Sequence, residues 1–202
     1  SNTYSGKTHV LGGTLSVANV GSVGGGASNL GQPADAAAGV IELGTGATAV
    51  QVSLTGASAE TSNRGINLAG TTGTVTLNRL SGSGLLKLTG NIVVTGVGTK
   101  TLTLQGSVIA ATGELAGSIP DSSGGVTTIT KTGTGSWTLS GPASTFTGAI
   151  NANQGTLVLS ATNTAAGASD TAASLLVGGV AGQNGILIIG PGANLTRGAV
   201  EV

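Results

Sequence analysis

The sequence contains few of the residue types that most often carry catalysis or bind metals. It has no Cys, which excludes disulfides, thiolate metal sites and thiol nucleophiles. It has a single His, His9, so no pair of histidines can hold a metal within one chain. Trp, Tyr and Phe occur once each, which leaves too few aromatic side chains for a thick globular core. We expect no metal and no cofactor.

Charge is also scarce and evenly balanced. Only 7% of the residues are charged, and seven basic residues offset seven acidic ones. A typical globular domain has about 25%. Proteins that bind nucleic acid or an anionic membrane surface need a basic stripe or cluster, so this balance argues against both partners.

Long hydrophobic runs are missing although 39% of the residues are apolar. The most apolar stretch, 175–195, is interrupted repeatedly by Gly and by Pro191, whereas a spanning helix needs about 20 uninterrupted apolar residues. We therefore expect no membrane insertion of this segment. The same apolar content argues against disorder, because disordered chains have too little apolar surface to offset the entropy of ordering.

Short runs in which apolar and small polar residues alternate recur along the whole chain. Alternation places one face of a strand inward and the other in solvent, and β-branched Thr and Val suit a pleated surface. Gly, Asn-Gly and Pro-Gly turns separate the runs. The clearest runs are 14–17, 50–54, 74–77, 101–104, 136–139, 156–159 and 186–189.

Strands this short and this poor in aromatics favour a narrow aliphatic core built from stacked coils. Neighbouring coils lie ~4.8 Å apart, and roughly eight to ten coils would make a rod about 40–50 Å long. We predict an all-β fold, a single β-solenoid domain over 1–202, with outward ladders of Thr and Ser. A β-sandwich is the alternative, since many short strands also fit it.

Internal repeats support stacking. Residues 3–6 and 13–15 recur at 145–148 and 155–157, always 142 positions later, and 82–90 recur at 133–141, always 51 positions later. The related segments are 2–18, 80–90 and 130–160. Trp137 matches Leu86 and therefore belongs to the core, whereas His9 matches Asn151 and belongs to the surface.

The alternation and the repeats together identify two sets of structural residues. The predicted inward core residues are Leu15, Leu86, Leu88, Trp137, Leu139, Leu157 and Leu159. The predicted repeat glycines, at corners where the backbone turns, are Gly6, Gly13, Gly82, Gly84, Gly133, Gly135, Gly148 and Gly155.

One segment resembles a known family. The run Thr130-Lys131-Thr132-Gly133-Thr134-Gly135-Ser136-Trp137-Thr138-Leu139-Ser140-Gly141 resembles the start of the autotransporter-associated β-strand repeat, also called the passenger-associated repeat. Residues 144–148 and 154–157 are similar to its second half, although Ser144 replaces the usual Asn. The resemblance implies a right-handed parallel β-helix in a bacterial passenger stalk, secreted and displayed on the cell surface.

The acidic residues offer little material for an enzyme. Sugar cleavage needs two carboxylates held a few ångström apart, and the seven acids are widely spaced in sequence. Coils could still bring Asp35 near Glu60, or Glu114 near Arg79. The run Gly6-Lys7-Thr8 lacks the earlier Gly of a phosphate-binding loop, and Gly24-Gly25-Gly26 lacks the Asp of a calcium-binding repeat. We expect no catalytic, cofactor-binding or metal-binding residues, and no enzyme activity.

Three functions follow from this sequence. The main hypothesis is a non-catalytic, glycine-rich structural protein, extracellular or on the bacterial cell surface, that forms a stalk or a head-to-tail filament. The second is an adhesin that binds a host or matrix ligand through its longest loop, Asn19 to Gly39. A polysaccharide-degrading β-helix enzyme is the third. Because the chain has no Met, we expect a processed product or a piece of a longer chain, stacked end to end on another copy or on its own continuation.

Overall fold

A computed structural model describes residues 1–80, 84–141, 144–160, 174–178, 181–190 and 199–201. These residues form 18 strands and no α-helix, and every pairing between named strands is parallel. Parallel pairing excludes the β-sandwich, whose sheets are antiparallel. The predicted all-β solenoid is therefore confirmed, whereas its right-handedness stays a prediction from the family resemblance.

The strands, numbered in chain order, form three sheets. The eight-stranded sheet contains β2 (Gly13–Val17), β4 (Val50–Leu54), β7 (Thr74–Arg79), β10 (Lys100–Gly106), β12 (Thr127–Thr132), β14 (Ile150–Ala152), β16 (Ser174–Val177) and β18 (Ala199–Glu201). The six-stranded sheet contains β5 (Glu60–Ser62), β8 (Leu85–Leu88), β11 (Thr112–Leu115), β13 (Ser136–Leu139), β15 (Gly155–Leu159) and β17 (Gly185–Ile189). The four-stranded sheet contains β1 (Thr8–Val10), β3 (Ile41–Leu43), β6 (Ile66–Leu68) and β9 (Ile92–Val93).

Each coil contributes one strand to a sheet, directly above the strand of the previous coil. Leu104 of β10 pairs with Leu77 below and with Lys131 above. In the described residues after β9, the third side of the coil has no regular strands but keeps backbone bonds between levels. Examples are Ile92 N to Ser118 O at 3.0 Å and Phe146 N to Ile119 O at 3.1 Å.

The interior is a single aliphatic cluster that runs through all three sheets. Of the predicted inward residues, Leu86, Leu88, Trp137, Leu139, Leu157 and Leu159 are buried. Leu15 is partly buried and packs against the cluster from β2, which pairs only with β4 among the described strands. Strand alternation accounts for this pattern, since β10 alternates buried and half-buried residues along its whole length.

The two repeats have different structural meanings. Leu86 pairs with Gly113, and Gly113 pairs with Trp137, so the offset of 51 residues spans two coils of one sheet. The offset of 142 residues instead relates β1 and β2 to β14 and β15. These strands flank different corners, one between the four- and eight-stranded sheets and one between the eight- and six-stranded sheets. The repeated sequence therefore specifies a unit of strand, corner and strand. It does not specify which sheets the two strands join.

The repeat glycines divide into two groups. Gly13, Gly133 and Gly155 have φ of 73°, 69° and 69°, a left-handed conformation that side chains with a Cβ rarely adopt. A Cβ on the others would meet backbone of the neighbouring coil at Gly84, Gly135 and Gly148 but only open space at Gly6. The remaining predicted position, Gly82, lies outside the described residues.

The single Trp fits because its neighbour in the column has no side chain. A Cβ on Gly113 would lie 2.6 Å from the Trp137 ring. The indole Nε1 donates a hydrogen bond to Gln105 O at 3.0 Å, so the buried polar atom is satisfied. A large residue in one coil is thus matched by a small one in the coil below.

This pairing can be tested with a double-mutant cycle. Gly113→Ala should destabilise the parent chain because the new methyl group collides with the indole, and the cost should be smaller in a Trp137→Leu background. We expect a coupling free energy of about 1 kcal/mol or more, measured by urea unfolding. Gly6→Ala, which has open space around the new methyl group, is the control. Equal costs of Gly113→Ala in both backgrounds would contradict the packing described.

Candidate functional site

Four cationic side chains lie inside the solenoid. Arg64, Arg79, Lys100 and Lys131 are each at most 2% exposed. None of them forms an ion pair with a carboxylate among the described residues. Each instead donates hydrogen bonds to backbone carbonyls, mostly at corners where the chain leaves one sheet for the next. Such bonds compensate part of the cost of removing a charge from water.

Lys131 shows the arrangement most completely. Its Nζ donates to Thr132 O at 2.6 Å, Gly133 O at 2.7 Å and Gln154 O at 3.0 Å. The first two carbonyls belong to the corner that follows β12, and the third belongs to the corner of the next coil. Burial lowers the pKa of Lys131 to about 8, because desolvation disfavours the charged form. This lysine of the family-like run therefore ties two successive corners together.

Two further cations bridge adjacent coils in the same way. Lys100 Nζ donates to Val97 O in its own coil at 2.8 Å and to Thr71 O in the coil below. Arg79 Nη2 donates to Gly84 O at 3.0 Å and to Ser58 O at 3.4 Å. Burial lowers the pKa of both groups.

Arg64 anchors the long segment between β2 and β3. Its Nε donates to Gly39 O at 2.7 Å, and its Nη1 donates to Leu30 O and to Val20 O. Desolvation lowers the pKa of Arg64 as well. The guanidinium therefore holds three points of this segment against the coil above it.

The segment Asn19 to Gly39, considered above as an adhesive loop, packs into the fold. Val20 and Leu30 are buried in the core cluster. Glu60 of β5 accepts hydrogen bonds from the backbone N of Val20 and Gly21 at 2.8 and 2.7 Å. Side-chain bonds here replace the ladder that a regular strand would make. Deleting the segment would remove Val20 and Leu30 from the core cluster, so we expect the deletion to destabilise the fold as well as to remove a loop.

Five of the acids bind partners within the protein: Asp35, Glu42, Glu60, Glu114 and Asp121. Glu42, on the outer face of β3, binds Lys7 Nζ at 2.8 Å and His9 Nδ1 at 2.9 Å. The hydrogen bond from Lys7 lowers the pKa of Glu42. His9 is exposed, as the sequence predicts.

Two other acids bind polar groups across coils. Glu114 binds Lys87 Nζ at 2.8 Å and accepts a hydrogen bond from Ser140 Oγ. Partial burial acts to raise its pKa, but these bonds outweigh it and lower the pKa of Glu114. Asp121 accepts bonds from Thr127 N at 2.6 Å and Thr147 Oγ1 at 2.6 Å.

Two pairs were considered for sugar cleavage, Asp35 with Glu60 and Glu114 with Arg79. Neither pair is joined by a hydrogen bond or an ion pair among the described residues. Asp35 accepts a hydrogen bond from Ala38 N at 2.8 Å, whereas Glu60 binds the backbone of the segment below. Glu114 binds Lys87, and Arg79 binds carbonyls.

Two surface grooves formed by described residues also lack converging acids. The groove of about 420 Å³ beside β5 contains one carboxylate, Glu60, and the groove of about 390 Å³ beside β17 contains none. Within the described ranges no three His, Asp or Glu side chains cluster as a metal site would require, and no helix could cross a membrane.

The interior cations were missed although the sequence contains a signal for three of them. Lys100, Arg79 and Lys131 occupy the same parity as the apolar residues of their strands, as Lys131 does two residues after buried Ile129. A charged residue at an inward position beside a Gly-rich corner, before the strand or after it, predicts a bond to corner carbonyls. Arg64 lies in a turn and carries no such signal.

The lowered pKa of Lys131 gives a pH dependence with a definite sign. Below pH 8 the lysine is protonated in both states, and burying its charge opposes folding. Between pH 8 and the unfolded value near 10.4, only the unfolded chain keeps the proton, so stability rises with pH. Relative to Lys131→Met, the parent should gain up to about 3 kcal/mol across this window in urea unfolding. A flat or falling difference would contradict the assignment.

Comparison with known families gives one finding, and it agrees with these corners. The model described as passenger-associated-transport-repeat matches residues 1–17, 129–159 and 152–170. These matches include the corner between β1 and β2, the corner between β12 and β13 with Lys131, and the corner between β14 and β15. Neither the curated proteins nor the solved structures yielded a match to this chain. Three segments of the chain therefore match the passenger-associated-transport-repeat model, and the described strands form a parallel β-solenoid.

Proposed function

We propose that this chain is a structural segment of a bacterial surface passenger, a stalk that supports load and performs no catalysis. The repeat family and the β-solenoid fold fit a passenger-type protein that is secreted or held at the cell surface. The observation that carries the structural role is the use of the charged residues. The four interior cations and the five acids described above bind backbone, hydroxyl or basic groups of the protein, and the acids do not converge on the groove beside β5.

The interior bonds suit a part that must resist extension along its axis. Ladder hydrogen bonds connect one coil to the next along the sheets, but they are interrupted at the corners. Lys131, Lys100 and Arg79 each bind carbonyls of two adjacent coils at such corners. They therefore add side-chain ties between levels to the backbone bonds of the corners, such as Asn153 N to Lys131 O at 3.0 Å. Because the chain has no Cys, these ties do not depend on the redox state of the compartment.

We further propose that the solenoid stacks end to end on another coil. The edge strand β17 pairs only with β15 among the described strands, and Ile186, Ile188 and Ile189 on it are about half exposed. A further coil placed on this edge would cover Ile189 and extend the ladder. That coil belongs either to the same chain or to a second copy in a head-to-tail filament. An adhesin role has weaker support, because the segment 19–39 is packed into the fold.

The proposal predicts rods on the cell surface whose persistence depends on the aliphatic interior. Antibodies against this segment should label intact bacteria that produce the native protein, and electron microscopy of the shed material should show thin rods. Leu139→Asp buries an unpaired charge at a cost of several kcal/mol and should abolish protease resistance of the displayed segment.

Ser136→Asp is the matched control, since Ser136 lies on the outward side of the same strand and its partners Thr112 and Thr156 are neutral. It should leave both labelling and protease resistance unchanged. The proposal fails if labelling requires permeabilised cells, or if the two variants are degraded alike. Rods longer than one chain, growing with protein concentration, would favour the filament, and rods of fixed length would favour the stalk.

A further inference from the structure

The outer face of the eight-stranded sheet carries a regular grid of threonines. Outward positions of β7, β10 and β12 place threonines in two rows that run across the strands. This threonine grid consists of Thr74, Thr101 and Thr128 in one row and Thr76, Thr103 and Thr130 in the other.

The parallel register fixes the grid in two dimensions. Neighbours within a row are ~4.8 Å apart across the strands, and the two rows are roughly 6.7 Å apart along them. The inward residues between the rows, Val75, Leu102 and Ile129, are at most 4% exposed, so the backbone beneath is held by the packed core. The grid is therefore a rigid array rather than a set of independent side chains.

The hydroxyl groups of the grid are available for a ligand. All six threonines are partly exposed. Among the described residues, only Thr130 Oγ1 has a hydrogen-bond partner within the protein, Asn151 Nδ2 at 3.5 Å. Each position thus offers a hydroxyl and a methyl group to whatever lies on the face.

From β2 to β14 the outer face is neutral, unlike the outer faces of the other two sheets. The charged residue in the same register, Glu201, belongs to β18 at the far end of the sheet. Outward positions on β2, β4, β7, β10, β12 and β14 contain no charged and no aromatic residue. The ion pairs of the described residues lie elsewhere: Lys7 with Glu42 beside the four-stranded sheet, and Lys87 with Glu114 on the six-stranded sheet. Charge complementarity therefore selects a neutral ligand, and the lack of aromatic rings argues against stacking on sugars.

We propose that the threonine grid binds ice, a neutral crystalline surface made of water. Hydroxyl groups at fixed spacings hold water molecules in a matching lattice, and the methyl groups between them restrict where those waters can lie. A rigid array loses little conformational entropy on binding. Once the first contact has formed, the remaining weak contacts form within the same complex and add to the affinity. The ligand is recognised by periodicity, which this face has and an isolated pocket lacks.

The test is partition of the purified chain into slowly grown ice, with Thr103→Tyr as the disrupting variant. A ring at the centre of the grid prevents a flat surface from reaching its neighbours, so the ice-bound fraction should fall about tenfold. Thr138→Tyr is the matched control, because it adds the same ring to an outward position of the six-stranded sheet and should leave partition unchanged. Thr128→Tyr is a second disrupting variant, used if Thr103→Tyr does not melt cooperatively by circular dichroism.

The outcomes are distinct. Partition of the parent into ice, lost in the grid variant and kept in Thr138→Tyr, supports the proposal. Exclusion of the folded parent from ice overturns it, and so do equal losses in the two tyrosine variants. Retention of the parent on crystalline cellulose without partition into ice would identify a polysaccharide surface instead, and would equally overturn it. The stalk proposal is unaffected by any of these results, since its readouts are labelling, rods and protease resistance.

Discussion

The strands of adjacent coils pair in parallel and in register, and this pairing determines which residues can occupy the interior. Each side chain lies directly above and below its counterparts in adjacent coils. The inward side chains that stack in one column must therefore fit one another in size. Trp137 is accommodated because Gly113 lies below it, and Arg79 is followed in its column by Gly106. Large and small residues compensate between coils rather than within one, which explains how a core with so few aromatics is filled.

A second requirement follows from the first. A stack of parallel strands satisfies its backbone groups along each sheet but leaves carbonyls at the corners, where Gly-rich turns interrupt the ladder. Interior cations bind some of these carbonyl groups, as Lys131 binds Thr132 O and Gly133 O. Desolvation lowers the pKa of each such cation, with the largest consequence at Lys131. A chain with so little charge thus uses much of it inside, where a cation can bind several carbonyls at once.

The sequence was sufficient for the fold and for much of the core because alternation is a local signal. Leu86, Leu139 and Leu157 occupy inward positions that strand parity alone identifies, and the repeat offsets showed that coils recur. Strand parity also places Lys131 inward, but burying a charged residue normally costs free energy, and parity alone is then not a sufficient argument. The place of the segment 19–39 could not be predicted, since it depends on long-range bonds to Arg64 and Glu60. The sequence also does not predict that the two copies 142 residues apart join different sheets, because this depends on how the corners of successive coils stack.

The register itself can be measured directly, because the chain has no Cys and introduced thiols are unique. Thr103 and Thr130 are partners on adjacent strands. A chain with Thr103→Cys and Thr130→Cys should be cross-linked efficiently by a short bifunctional thiol reagent, since the two positions are ~4.8 Å apart. A chain with Thr103→Cys and Thr132→Cys, shifted by one outward position to roughly 8 Å, should react far more slowly. Equal cross-linking of both pairs, or preference for the shifted pair, would contradict in-register stacking.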